Sequence, residues 1–187
     1  MVGKRFGMLI GAAICAATIS ACGAGEHATY SDNLGPGYVQ VGQLYYQVQV
    51  SRELNPWSDE DRFYLQGFSG SQRQLPVADE WFGVSIQVYN WTDRAHTPTA
   101  DFFITDTVGD RYTPLPNGAP NPYSYVPTPI PAGGQLPGID TDAFTGWSQG
   151  EFLIFKIPYA SLVNRPFVLH IVNGADTAQQ SRIELDV

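Results

Sequence analysis

Val39-Gln40-Val41-Gly42-Gln43-Leu44-Tyr45-Tyr46-Gln47-Val48-Gln49-Val50 decides the architecture of this chain. Leu44, Tyr46, Val48 and Val50 alternate with Gln43, Tyr45, Gln47 and Gln49. Period two sends successive side chains to opposite faces of an extended backbone. One face is apolar and the other is polar, the pattern of a half-buried antiparallel strand. Residues 81–90 repeat it: Phe82, Val84, Ile86 and Val88 point one way, and Gly83, Ser85, Gln87 and Tyr89 the other.

The flanking sequence extends this reading. Residues 100–106 and 111–115 flank Thr107-Val108-Gly109-Asp110, which predicts a hairpin turn. Residues 151–157 are apolar on both faces, which predicts a central strand ended by Pro158. Residues 167–172 and 182–187 supply the last two strands. Between Pro114 and Pro137 lie eight of the fourteen prolines. Proline cannot donate to a ladder, so this stretch reads as a long loop with edge-strand fragments near 123–130. The charge-dense residues 52–66 break the period. Ser58 and Asp61 have capping-box spacing, Asp59 and Glu60 suit a first helical turn, and Gly67 follows as a stop. The expected architecture is all-β: an immunoglobulin-like antiparallel β-sandwich of seven to nine strands with one or two short helical turns. The Cys…Trp…Cys hallmark of antibody domains is absent, so the likeness is architectural.

The N-terminus carries an address. Lys4 and Arg5 precede an uncharged apolar run from Met8 to Ile19, closed by small residues. This is the layout of a secretory signal peptide, and the run is shorter than the ~20 residues of a membrane-spanning helix. Residues 1–21 are therefore expected to be a signal peptide, 22–37 a flexible tether, and 38–187 the sandwich domain. Ile19-Ser20-Ala21-Cys22 resembles the bacterial lipobox, with Ile19 where Leu is usual. The resemblance implies cleavage between Ala21 and Cys22 and a diacylglyceryl group on Cys22 Sγ. Two or more acyl chains give stable anchoring. The expected localisation is extracytoplasmic, with lipid anchoring to a bacterial cell membrane.

Composition narrows the chemistry. Cleavage would remove Lys4 and Arg5, leaving 8 basic against 18 acidic residues, a net charge of −10. An acidic surface repels phosphate backbones, so nucleic acid is not an expected partner. The membrane is the expected partner through the lipid, with an envelope protein or glycan as a further one. Cys15 would leave with the signal and Cys22 would carry lipid, so no disulfide, Cys₄ zinc site or thiol nucleophile is expected. No cofactor is expected, and the oligomeric state is not encoded in any pattern here.

Possible sites form no clear catalytic set. Gly146-Trp147-Ser148-Gln149-Gly150 matches the nucleophile-elbow pattern, which needs a helix after the serine and a later acid and histidine. Here a β-run follows, so the match reads as a turn before a strand. His27, His96 and His170 have no metal-ligand spacing. Asp101, Asp106 and Asp110 surround one predicted hairpin, and Asp140 and Asp142 lie two apart in a loop. Loop carboxylates can hold Ca²⁺, but the EF-hand spacing is missing. Trp57, Trp91, Trp147, Tyr123 and Tyr125 fall in predicted loops, where aromatics form a binding patch or cap the ends of a sandwich. Asn90-Trp91-Thr92 fits the N-x-T pattern, with no glycosylation expected on a bacterial lipoprotein.

Residues 80–84 leading into Val88-Tyr89-Asn90, then 102–106 with Gly109 and Tyr112, Ile130-Pro131-Ala132-Gly133, and 150–158 resemble a family of bacterial secreted domains of unknown function. That family has a telokin-like, immunoglobulin-type fold, and the likeness covers about residues 38–187. Arg52-Glu53-Leu54-Asn55-Pro56 with Glu60-Asp61-Arg62 is similar to segments of actinobacterial envelope lipoproteins. The resemblance implies extracellular binding or envelope maintenance and supplies no catalytic residue. The expected function is thus a lipid-anchored extracytoplasmic binding or structural envelope protein without catalytic activity. A small-ligand or Ca²⁺ carrier is the alternative, and a hydrolase at Ser148 the third reading.

Overall fold

The structure is a computed structural model that describes residues 37–116 and 119–185. The expected signal segment, nearly all of the tether, and with them Ala21, Cys22 and His27 lie outside the described residues. Nine strands follow along the described chain: β1 (Tyr38–Val41), β2 (Leu44–Leu54), β3 (Asp79–Tyr89), β4 (Asp101–Thr105), β5 (Arg111–Tyr112), β6 (Gln135–Leu136), β7 (Glu151–Pro158), β8 (Phe167–Val172) and β9 (Gln180–Leu185). Two short α-helices, α1 (Asp59–Tyr64) and α2 (Asp142–Thr145), and two 3-10 turns complete them. The strands form two antiparallel sheets. One runs β1-β2-β3, with β6 and β7 both paired to the far edge of β3, and the other runs β5-β4-β8-β9. The fold is an all-β sandwich.

Alternation builds the main core. Tyr46, Phe82, Val84, Ile86 and Val88 leave the first sheet toward Phe102, Ile104, Phe167, Leu169 and Ile171 of the second. Phe82 meets Phe167 edge to face at 5.6 Å, and Tyr46 meets Phe102 at 6.2 Å. Each such side chain contributes about 1.5–3 kcal/mol by leaving water. The hairpin predicted around 107–110 joins β4 to β5, with Asp106 Oδ1 accepting from the backbone N–H of Val108 and Asp110.

A β-bulge corrects the face predicted for Val50. Pairing runs Tyr45↔Tyr89 to Val48↔Ile86, then slips, so that Val50 opposes Ser85 and Leu54 opposes Trp81. The slip leaves Gln49 unpaired and turns every later side chain of β2 over. Val50 therefore faces outward with Leu54 and not inward with Tyr46 and Val48. The outward side chains Leu54, Trp81, Phe152 and Ile154 form a second cluster, covered by Tyr64 of α1 and by Phe68. Gly83 sits at its centre because a Cβ there would lie 2.9 Å from Leu54 Cδ1 and 3.0 Å from Phe152 Cδ1.

This second cluster explains why β7 is apolar on both faces. Leu153, Phe155 and Ile157 enter the main core, while Phe152 and Ile154 enter the outer one. The free edge of β7 is lined by the proline-rich loop. Leu115 N–H donates to Ile154 O at 2.7 Å, Tyr125 N–H to Phe152 O at 3.0 Å, and Phe152 N–H to Tyr123 O at 2.7 Å.

The capping box expected at Ser58 and Asp61 is replaced by an ion pair. Ser58 is the N-cap residue of α1 but makes no side-chain cap. Asp61 turns inward, and Arg52 grips it through two hydrogen bonds of 2.5 and 3.1 Å, while Asn55 N–H donates to it at 2.7 Å. A bidentate guanidinium contact is stronger than a lone cap to backbone N–H, so the carboxylate goes to arginine. Asn121 ties the far end of α1 down, its amide donating to the carbonyls of Phe63, Tyr64 and Gln66.

Candidate ligand groove

Asn55 and Pro56 begin a turn, closed by Ser58 N–H donating to Asn55 O at 2.9 Å. Proline presets the backbone for such a turn. Trp57 at its tip is thrust into solvent with 89% of its surface exposed. Beneath it, Phe68 and Trp81 lie nearly parallel, 6.0 Å apart with an interplanar angle of 18°. Lys156 crosses the Trp81 ring at 5.1 Å and donates to the carbonyls of Ser71 and Gln74 at 3.1 and 2.5 Å. That clasp holds the loop carrying Arg73 and Leu75 against the sheet. The result is a groove of about 630 Å³ between α1, this loop and β3.

Its chemistry is uneven. The floor is aromatic and aliphatic, from Phe63, Phe68, Leu75 and Trp81. Both ionised side chains in its lining are cations, Arg62 and Arg73. Arg62 is paired with Asp59 at 2.6 Å, whereas Arg73 forms no ion pair among the described residues. In a strongly acidic chain this is an apolar pocket with a positive rim, of a size that holds a small ligand. Pro56, Leu75 and Trp81 also border a neighbouring hollow that contains Glu53 and Glu80. Burial first, then the Glu53 carboxylate, pushes the Glu80 carboxyl above its ordinary range, and Arg165 opposes this.

The aromatic candidates separate. Trp57 lines the groove, and Tyr123 packs edge to face on Tyr64 at 5.4 Å behind it. Trp147 is exposed outside the groove, and Trp91 stacks on Tyr45 at 4.3 Å at the opposite end of the sheet. Tyr125 is a correction: it is buried, donates its hydroxyl to Thr99 O at 2.6 Å and packs on Phe102 at 5.1 Å. The loop that carries it lies along β7, so the ring completes the core and cannot serve a surface patch. Asn90 is likewise fully buried, its amide donating to the carbonyls of Arg94, Ile130 and Pro131.

The carboxylate candidates stay apart. Asp101, Asp110, Asp140 and Asp142 are exposed. Asp106 is consumed by its own hairpin, with added hydrogen bonds from Tyr112 at 3.0 Å and Asn164 at 3.4 Å. Burial works against its charge, but Tyr112, the Asp110 N–H, Asn164 and the Val108 N–H outweigh burial and hold its carboxyl below the ordinary range. Among the described residues no three His, Cys, Asp or Glu side chains converge as a metal site would require. Ser148 and His170 do not meet either. Ser148 lies in the turn before β7, whereas His170 on β8 bonds to Thr105 Oγ1 at 2.9 Å and stacks on Phe103 at 4.3 Å.

Three groove residues escaped the sequence reading. Phe68, Arg73 and Leu75 lie in a stretch without periodicity, which packing in the outer cluster and hydrogen bonds from Lys156 and Gln72 hold in place. The burial of Glu151 was not foreseen either: it sits at the start of β7, and burial raises its carboxyl to about 7 against a hydrogen bond from Val126 N–H. An acid opening a run of apolar residues was the available signal.

No protein-family model matches this chain, and no curated protein does. Several solved structures resemble it. The candidate lipoprotein ycdA of Bacillus subtilis is 7% identical with a TM-score of 0.47, over 80% of this chain and 39% of that one. This chain thus spans well under half the length of ycdA. The yjhA protein of Bacillus subtilis is 10% identical with a TM-score of 0.48, over 81% and 97% of the two chains. An uncharacterised β-sandwich protein of Clostridium difficile is 8% identical with a TM-score of 0.44, over 80% and 89%. Likeness at this level assigns no activity.

Proposed function

We propose that this chain is an extracytoplasmic binding domain, moored through a lipid on Cys22, that takes a small ligand in the groove beneath Trp57. The ligand has an apolar body for the Phe68 and Trp81 floor and an anionic group for Arg73. The observation that carries this is an arginine with no ion pair among the described residues, lining an aromatic groove in an acidic chain. Apolar lining supplies affinity, and one placed charge supplies orientation. Like-charged surroundings would otherwise repel such a ligand, so the cationic rim selects as well as attracts. The domain acts without catalysis in this reading, as an actinobacterial-type member of the telokin-like secreted domains that its short sequence motifs resemble. The groove favours a small organic ligand over Ca²⁺, because its ionised lining is cationic.

Tryptophan fluorescence tests the groove. Titration with long-chain and aromatic carboxylates is expected to quench emission, and Arg73→Ala to weaken binding about tenfold or more, the loss of one charge-assisted contact. Equal affinity for a carboxylate and its uncharged alcohol would sink the assignment. Metabolic labelling with an alkyne fatty acid tests the anchor, and labelling that survives Cys22→Ala would count against it. A fluorophosphonate probe that labels Ser148 would refute the absence of catalysis.

A further inference from the structure

At the end of the first sheet away from the groove, the outward face carries two cross-strand rows. Antiparallel partners point to the same side, so register alone aligns Gln40, Tyr45, Tyr89 and Gln135 across β1, β2, β3 and β6. The next row holds Tyr38, Gln47 and Gln87. Four strands at about 4.8 Å spacing make the first row about 14 Å long. Not one of these side chains is charged, in a chain with 28 charged residues.

Trp91 stands over the rows. It stacks on Tyr45 at 4.3 Å and lies 5.7 and 5.8 Å from Tyr38 and Tyr89. Half of its surface remains open. The amides hold one another in place. Gln49 donates to Gln47 at 2.8 Å and to Gln87 at 3.3 Å, Tyr89 donates its hydroxyl to Gln87, and Gln87 donates to Gln149 O. Burial, then the neighbouring Tyr38, pushes the Tyr89 hydroxyl up to about 12, so it stays a neutral donor. The amide nitrogen of Gln47 and the amide oxygen of Gln49 form no hydrogen bond among the described residues. The ladder therefore presents a pre-oriented donor beside a pre-oriented acceptor.

We propose that this aromatic and glutamine face binds a neutral polysaccharide chain. A pyranose ring offers an apolar C–H face, which the negative face of an indole or phenol attracts. Its equatorial hydroxyls both donate and accept, matching the free amide groups. Charge selects the occupant: with no cation on the face, an anionic polymer or lipid headgroup gains nothing and meets an acidic protein.

Affinity electrophoresis of the purified full chain in gels containing neutral glucan, mannan or galactan tests the site, with dextran sulfate as the anionic control. Retardation by at least one neutral polymer is expected. Trp91→Ala and Tyr45→Ala are expected to weaken it about tenfold or more, as central aromatic anchors do. Gln47→Glu, which keeps the shape and adds a charge, is expected to weaken it with an unchanged melting temperature, so a Trp91 variant that folds poorly does not blunt the test. Trp147→Ala, outside both sites, should leave retardation unchanged. Three results would overturn the proposal: no neutral polymer retards the chain, retardation survives both Trp91→Ala and Gln47→Glu, or only dextran sulfate retards it. A dimer that Trp91→Ala dissolves would assign the face to a second copy and overturn it equally. Failure of the groove would appear in the carboxylate titrations and leave these outcomes intact.

Discussion

Strands β2 and β3 share one outer face with two fates. Where Leu54 opposes Trp81, the face is apolar and lies beneath α1 and Phe68. Where Tyr45 opposes Tyr89, it is aromatic and amidic and stays open. The boundary is the bulge at Gln49. Ahead of it Tyr45 and Gln47 point outward; past it Val50 and Leu54 do. One extra residue thus converts a single alternating sequence into a wettable platform and a second hydrophobic core. Each half then carries its own candidate site, a flat one on the open half and a concave one where the covering segment meets the sheet.

Ile154→Asp attacks the covered half directly. Ile154 is buried in the outer cluster, so the substitution places an unpaired carboxylate there. Burying an unpaired charge costs several kcal/mol against a total stability of about 5–15 kcal/mol. Loss of the cooperative melting transition is expected; a variant that melts like the parent would show that the covered half is not a second core. Trp81→Ala is the next strongest change. It removes the floor shared by the groove and the outer cluster, and about 3–5 kcal/mol is expected. For a domain of this size each kcal/mol lowers the melting temperature by about 2–4 °C. Calorimetry should therefore find a drop of roughly 6–20 °C.

Glu151 belongs to neither half, since its carboxyl enters the sandwich beside Val126. Its folded pKa of about 7 exceeds the ordinary 4.5 of a glutamate carboxyl. A carboxyl held above its unfolded value contributes stability that is full below pH 4.5 and is lost as pH rises through about 7. The loss is about 3 kcal/mol by linkage. Melting temperature should fall between pH 5 and 8, and Glu151→Gln should flatten that slope. Hydrogen exchange that loosens only one half over this range would separate the halves energetically; a uniform loss would show one cooperative unit.

Arg52→Ala touches only the covered half. It strands the buried Asp61 carboxylate, yet Arg52 itself is over a third exposed, so solvent shares the load. About 2 kcal/mol is expected, below the range for a fully buried pair. Faster amide exchange at residues 59–64 with little change at Tyr45 would localise the effect. The smallest effect belongs to the exposed tips. Trp57→Ala should alter stability by no more than about 0.5 kcal/mol. A larger loss would mean that Trp57 is part of the cover and not of the groove mouth.

Legibility followed locality. The alternation of residues 81–90 gave the inward set of β3 without error, because each side chain's face depends only on its neighbours along the strand. The hairpin at 107–110 was legible for the same reason. Val50 was not, because a bulge depends on the register of β3, more than thirty residues away. Asp61 was misread because the spacing suited a cap while the competing partner, Arg52, came from a strand. Tyr125 looked like a surface ring because its loop is rich in proline, yet that loop lies along an apolar strand. Trp57 was legible as a loop residue, but its groove was not, since Phe68, Arg73 and Trp81 come to line one groove through a loop that Lys156 and Gln72 hold by long-range hydrogen bonds.

The sequence by itself determined the two-residue rhythm, the inward residues of β3, the acidic charge and the lipobox-like motif ending in Cys22, for each of these is read from the residues alone. Tertiary structure alone decided which half of the outer face would be roofed, where the bulge would turn β2 over, and which arginine would line an aromatic groove. Those outcomes rest on contacts between distant segments, where burial and charge pairing compete and the stronger pairing wins.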